Sequence, residues 1–182
     1  MKEIKTSAIT EAVAGLCQQA CLELGDDAIA ALKKARGAEE SELGKEVLDQ
    51  ILENARIARD ERLPLCQDCG TAVVFLEVGQ DAHIVGGDLS AAVAEGIRQG
   101  YTRGYLRKSM VSHPFSARTN SGDNTPPVIH TEIVPGDRLN IVVMPKGAGS
   151  ENVSRLAMLA PGAGKKGVID FVVKTVDEAG AN

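Results

Sequence analysis

The sequence predicts a mixed α/β protein: an N-terminal lobe of about three helices over residues 1–63, then a lobe over 64–182 built on a mixed, largely antiparallel sheet with flanking helices. Three observations predict it. Apolar residues recur at helical spacing up to Ala58. The period then changes at Ala72-Val73-Val74-Phe75-Leu76-Glu77-Val78, a short continuous apolar run closed by Gly79, the pattern of a buried strand. With no Trp, two Tyr and three Phe, the core must be made of Ala, Val, Leu and Ile.

In the first lobe, Ile9, Val13, Leu16, Ala20 and Leu24 mark a helix over 6–24 that Thr6 or Ser7 can cap and Gly25 ends. Asp26-Asp27 are acidic cap residues for a shorter helix through Ile29, Leu32 and Ala35 that stops near Gly37. A third begins at Ser41 and runs through Leu43, Val47, Leu48, Ile51, Leu52, Ala55 and Ala58, its other face charged, until Leu63-Pro64 breaks it.

In the second lobe, Gly86-Gly87-Asp88 turns into a helix with Ala92, Val93, Gly96, Ile97, Gly100 and Tyr101 on one face. Glycines at 96, 100 and 104 let another backbone pack closely. Residues 107–127 form a long, turn-rich loop, a length that is usually functional or mobile. Strands over 128–134 and 138–144 extend the sheet and are joined by Pro135-Gly136-Asp137 as a tight antiparallel turn. Pro145-Lys146-Gly147-Ala148-Gly149-Ser150 leads into a helix at Glu151, an arrangement of backbone amides suited to an anion. A last amphipathic helix covers 168–179.

Composition excludes several function classes. A net charge of -5 offers no cationic field for nucleic acid. No apolar run approaches the ~20 residues of a membrane span, and Met1-Lys2-Glu3-Ile4-Lys5 leads into a helix, not a signal-peptide core. The default location is cytoplasmic, where the four cysteines read as reduced thiols or metal ligands.

Chemistry concentrates at Pro64-Leu65-Cys66-Gln67-Asp68-Cys69-Gly70-Thr71, which brings thiols, an amide, a carboxylate and a turn glycine together. Cys17, Cys21, Cys66 and Cys69 could form a four-thiolate zinc site, yet Cys17 and Cys21 lie beside an apolar stripe, where small thiols are ordinary core fillers. A thioredoxin-like reading of Cys66 and Cys69 fails because here the strand follows the motif. Cys66 alone is the better ligand. Arg107, Lys108, Arg118 and Lys146 can form an anion pocket or simply solvate the surface. His83, His113 and His130 show no metal spacing.

Taken in order, Leu-Pro-Leu-Cys-Gln-Asp-Cys-Gly-Thr at 63–71, Gly-Asp-Asn-Thr-Pro-Pro-Val-Ile-His at 122–130 and Pro-Lys-Gly-Ala-Gly-Ser-Glu-Asn at 145–152 resemble the class I iron-sulfur fumarate hydratases, alpha subunit or N-terminal region, a family that includes the L-tartrate dehydratase alpha subunits. The likeness runs from about Ile9 to Gly180. It implies a hydro-lyase that interconverts fumarate and L-malate at a 4Fe-4S cluster held by three cysteines, whose open iron acts as a Lewis acid. By the same resemblance, Cys66 matches the first cluster ligand, Gln67 and Asp68 match substrate contacts with Asp68 in the acid/base network, and Arg107 matches a substrate-carboxylate arginine. Gly147 or Gly149 matches a glycine turn that approaches substrate. Cys69 stands where the family has threonine. The family's alpha region continues with a Cys-Pro-Pro segment and a later cysteine, and a beta subunit or C-terminal domain supplies further substrate residues. The expectation is therefore an oligomeric enzyme of which this chain is a truncated part, without cluster or activity by itself. L-Tartrate as substrate and a non-catalytic interaction module are the alternatives.

Overall fold

The computed structural model of the chain describes residues 2–180, the side chain of residue 150 excepted. Its elements are β1 (Lys2–Lys5), α1 (Thr6–Leu22), α2 (Asp26–Ala38), α3 (Glu42–Glu61), β2 (Thr71–Gly79), β3 (Ala82–Val85), α4 (Leu89–Arg103), β4 (Val111–Ser112), β5 (Thr119–Asn120), β6 (Val128–Val134), β7 (Leu139–Lys146) and α5 (Gly164–Ala179). They fall into two compact units, Met1–Gly147 and Ala148–Asn182. Among the described residues, no helix is long and apolar enough to cross a membrane.

The core of the first unit is the seam between α1 and α4. From α1 it takes Ile9, Val13, Ala14, Cys17, Cys21 and Leu22, and from α4 Ala92, Val93, Gly96, Ile97, Gly100 and Tyr101. The glycines make the seam possible. A Cβ at Gly96 would sit 2.7 Å from the Thr10 carbonyl oxygen, and one at Gly100 would sit 2.9 Å from that of Ala14. Both distances are below van der Waals contact, so the predicted glycine stripe is where two helix backbones meet.

β2 is the centre of the three-stranded sheet. Its Ala72, Val74 and Leu76 point into the core, and Phe75 points outward to stack on His130, with ring centroids 5.0 Å apart. β7 pairs antiparallel with β2, from Thr71↔Lys146 to Val78↔Leu139, and packs against α1. β6 pairs parallel with β2, from Val73↔Val128 to Gly79↔Val134.

The sheet order β6-β2-β7 corrects the expectation of a tight turn joining neighbouring strands. Pro135-Gly136-Asp137 does reverse the chain, but it passes over the end of β2, bridging two strand spacings, about 9.5 Å. Gly79 N donates to Arg138 O at 2.7 Å, Gln80 N to Val134 O at 2.8 Å and Asp81 N to Gly136 O at 2.8 Å. Only glycine fits at 79, since a Cβ there would lie 2.5 Å from Gly136 O. Two parallel pairings (β1 with β3, β2 with β6) stand beside two antiparallel ones (β2 with β7, β4 with β5), so the three-stranded sheet is mixed while the two small ones are each of one kind.

Several local expectations are also revised. β1 runs directly into α1, so Thr6 and Ser7 lie inside the helix and Lys5 occupies the cap without a side-chain bond. Asp26 and Asp27 lie in the first turn of α2, where their charge suits the helix dipole, and Gly25 is the cap. Ser41 does cap α3, accepting from Gly44 N at 3.3 Å, and Arg62 ends it in the left-handed conformation at φ 55°. Of the apolar face of α3 only Ala55 and Ala58 are buried, while Leu43, Val47 and Ile51 are exposed. In the second unit, Ser150–Val153 is a single 3-10 turn and not the start of a helix. The amphipathic helix there begins at Gly164, and its Val168, Ile169, Val172, Val173 and Val176 are exposed.

Candidate functional site

The loop between α3 and β2 is irregular, so its shape depends on bonds from outside it. Leu65 N donates to Cys21 O at 2.9 Å. Asn54 Nδ2 donates to Leu65 O at 2.8 Å, the Tyr101 hydroxyl to Cys69 O at 2.6 Å, and Asn124 Nδ2 to Gly70 O at 3.1 Å. Burial raises the Tyr101 phenol, which keeps it a proton donor. Within the loop, Asp68 Oδ1 accepts from Gly70 N at 3.0 Å, which fixes the carboxylate's orientation.

Gly70 has φ 64°, and a Cβ there would lie 2.4 Å from the Lys146 carbonyl oxygen. This glycine lets the end of β7 close against the loop. As a result Gly147 lies beside Asp68: a Cβ on Gly147 would come within 3.1 Å of Asp68 Oδ2. Cys66 and Gln67 are exposed at the loop's tip, with the Cys66 thiol 3.4 Å from Asp68 O.

Arg107 is reached through a second irregular segment. Leu106 is buried and its N–H donates to Tyr101 O at 3.0 Å. Ser109 N and Met110 N both donate to Asn124 Oδ1, at 2.7 and 3.1 Å, and Thr71 Oγ1 contacts Met110 Sδ at 3.3 Å. The backbone on either side of Arg107 is thereby laced to α4 and to Gly70-Thr71. Among the described residues the exposed Arg107 guanidinium has no hydrogen-bond or ion-pair partner, which leaves it available to an anion.

Cys66, Gln67, Asp68 and Gly147 are thus neighbours, and Arg107 is carried on a segment tied to theirs. Gly149 belongs to the second unit. Its N–H donates to Glu151 Oε2 at 2.8 Å, so the turn expected to cradle an anion already holds a carboxylate of its own.

The other thiols stand in a different environment. Cys17 and Cys21 are buried, and burial pushes each up to about 12; Cys69 and Cys17 beside Cys21 add to its rise. Cys69 is 3% exposed. Among the described residues no three His, Cys, Asp or Glu side chains are grouped to hold a metal. With Cys66 as the one exposed thiol, these residues do not fit a 4Fe-4S cluster or a four-thiolate zinc by themselves.

Two residues at the site were not singled out from the sequence. Tyr101 read as a core-facing helix residue, and its hydroxyl bond to Cys69 O has no sequence signature. Asn124, fully buried at φ 64°, lies in a segment that read as turn-rich. The available signal was asparagine's tolerance of the left-handed region.

The family model for fumarate hydratase (Fumerase) matches residues 10–182. A provisionally named L(+)-tartrate dehydratase subunit alpha from Methanocaldococcus jannaschii is 37% identical over 180 residues, which is 94% of this chain and 62% of that protein. The L(+)-tartrate dehydratase subunit alpha of Escherichia coli strain UTI89 is 29% identical over 185 residues, covering all of this chain and 60% of its own length. In strain K12 the protein of that name is 28% identical over the same span. The chain thus spans about 60% of the length of these relatives. With nearly its whole length matched, the chain belongs to the fumarate hydratase (Fumerase) family.

Proposed function

We propose that this chain forms one wall of a hydro-lyase site that adds water to fumarate, giving L-malate, or removes water from L-tartrate. The observation that carries the reading is the Asp68 carboxylate, oriented by Gly70 N–H and set against Gly147, beside exposed Gln67 and Cys66. Hydration of such a double bond needs a proton placed on one carbon and hydroxide on the next. Asp68 is the group proposed to hold and move that proton. Gln67 offers both an amide donor and an acceptor to orient a hydroxyl or carboxylate. Arg107 presents a guanidinium fork to one substrate carboxylate. Gly147, lacking a side chain, lets substrate approach the backbone.

Cys66 is the one thiolate this chain offers to a 4Fe-4S cluster, and the remaining ligands are proposed to come from outside the described residues. A beta subunit or C-terminal domain, a cytoplasmic location and an oligomer belong to the same reading. The names of the relatives favour L-tartrate; the family description favours fumarate.

The reading is tested with the chain combined with a beta subunit or C-terminal extension, under anaerobic conditions with iron and sulfide. Fumarate hydration and L-tartrate dehydration are measured alongside Arg107→Ala. Loss of one charged pair to a carboxylate is expected to raise KM for the dicarboxylate by roughly 10- to 100-fold, as charge-assisted bonds of about 1.5–3 kcal/mol predict. An assembled protein that turns over neither substrate contradicts the function. An Arg107→Ala protein with unchanged KM contradicts the role given to Arg107.

A further inference from the structure

We propose that Asn124 is a positioning residue that sets Arg107 relative to the Asp68 loop. This inference rests on the hydro-lyase reading above. Asn124 is the one fully polar side chain in the buried core of the described residues, with no exposed surface. Its amide is used from both ends: Oδ1 accepts from Ser109 N and Met110 N, and Nδ2 donates to Gly70 O. The orientation of the amide follows from its partners, because two N–H groups can meet only oxygen and a carbonyl can meet only N–H.

A buried amide is costly unless bonded, so a residue that merely filled space here would be apolar. Asn124 instead joins two segments that are far apart in sequence. One is the loop carrying Cys66, Gln67 and Asp68. The other is 106–110, which carries Arg107.

The second segment is also held by Asn120 and Ser121, which donate to Lys108 O and Met110 O at 2.9 Å each, but Asn124 is the side chain that bonds it to Gly70. The Ser109 hydroxyl oxygen is buried with no hydrogen-bond partner among the described residues, an arrangement that costs free energy. Arg107 sits between two anchors, Leu106 on Tyr101 O and Ser109 on Asn124. Without the Asn124 amide its C-terminal side keeps Asn120 Nδ2 on Lys108 O at 2.9 Å, Ser121 N on Met110 O at 2.9 Å and the Thr71 Oγ1 contact with Met110 Sδ at 3.3 Å, but loses its direct tie to Gly70. A dicarboxylate bound at once by Asp68, Gln67 and Arg107 depends on both anchors, and a misplacement of about 1 Å can cost on the order of 100-fold in rate.

Two variants test the inference. Asn124→Gly keeps the left-handed backbone and removes the amide. Asn124→Asp keeps the acceptor; when protonated its hydroxyl replaces Nδ2–H, and when ionised it repels Gly70 O. The first measurement is backbone hydrogen exchange on the 182-residue chain, which needs no activity. Expected is a loss of protection of about 10-fold or more at Ser109 and Met110 in Asn124→Gly, while Val74, Leu76 and Ile97 keep theirs. Asn124→Asp, which keeps the acceptor for both N–H groups, is expected to retain protection at 109 and 110. Unchanged protection at 109 and 110 in Asn124→Gly overturns the proposal, as does a fall in Asn124→Gly that is uniform across all five residues.

The second measurement is KM in the assembled protein. Expected is a KM for the dicarboxylate at least about 10-fold higher in Asn124→Asp at neutral pH, recovering as pH falls, with no further rise in an Arg107→Ala background. A pH-independent KM equal to wild type, or an effect that persists in full without Arg107, overturns it. An inactive wild-type assembly overturns the hydro-lyase reading alone, and the exchange result then decides whether Asn124 holds the segment.

Discussion

Cys66 and Cys69 are three residues apart, yet one is exposed and the other is in the core. Reactivity follows the thiolate and its exposure. An aromatic disulfide reagent at neutral pH should therefore modify one thiol per native chain promptly, mapped to Cys66 by peptide mass, and four in denaturant. Prompt reaction at Cys17 or Cys21 would contradict the packing of α1 against α4. The same burial makes stability depend on alkaline pH. Cys17 and Cys21 rise from about 9 to about 12 on folding, so above pH 9 the unfolded chain holds fewer protons than the folded one. Their contribution is complete below about pH 9 and is lost as pH climbs toward 12. The denaturation midpoint should fall across that window, and less steeply in Cys21→Ala. The core placement of Cys17 and Cys21 was legible from the apolar stripe beside them. The bonds made by Asn124 and Tyr101 were not, because a side-chain bond to a backbone atom dozens of residues away leaves no local pattern.

At the scale of elements, the α1–α4 seam was the most legible part of the fold: the six residues read as one face of α4 are the six it buries. Gly96→Ala should destabilise the chain by about 1–3 kcal/mol, since the added methyl meets the Thr10 carbonyl and Val13 in a packed seam. Gly122→Ala, with open space around it but φ 80°, is the comparison that separates crowding from backbone strain. Equal midpoints for Gly96→Ala and wild type in urea would contradict the seam. Strand pairing was less legible, for a physical reason. Pro135-Gly136-Asp137 encodes a reversal, but whether β2 lies between the two arms is decided by the backbone hydrogen bonds β2 makes on both of its edges, and those leave no side-chain pattern. β1 and β3 escaped notice because four-residue strands, one of them Lys-Glu-Ile-Lys, carry too few apolar positions to show a period.

At the scale of the whole molecule, the site is assembled from pieces that the chain keeps apart: the 66–70 loop, the 106–110 segment, Asn124 and the end of β7 at Gly147. Motif spacing pointed to the first and last of these, and resemblance pointed to Arg107. What joins them is the positive φ of Gly70 and the amide of Asn124, visible only once the backbone is folded. Asp68 is the residue proposed to handle the proton in a hydro-lyase reaction. The most direct test of that role is kcat at neutral pH for fumarate hydration and L-tartrate dehydration by the assembled protein and by its Asp68→Asn variant, which keeps the size and the Oδ1 acceptor but cannot act as an acid or base there. Expected are turnover of at least one substrate by wild type and a fall in kcat of roughly 100- to 10,000-fold in Asp68→Asn, the range for losing a general acid or base. A variant with wild-type kcat would contradict it.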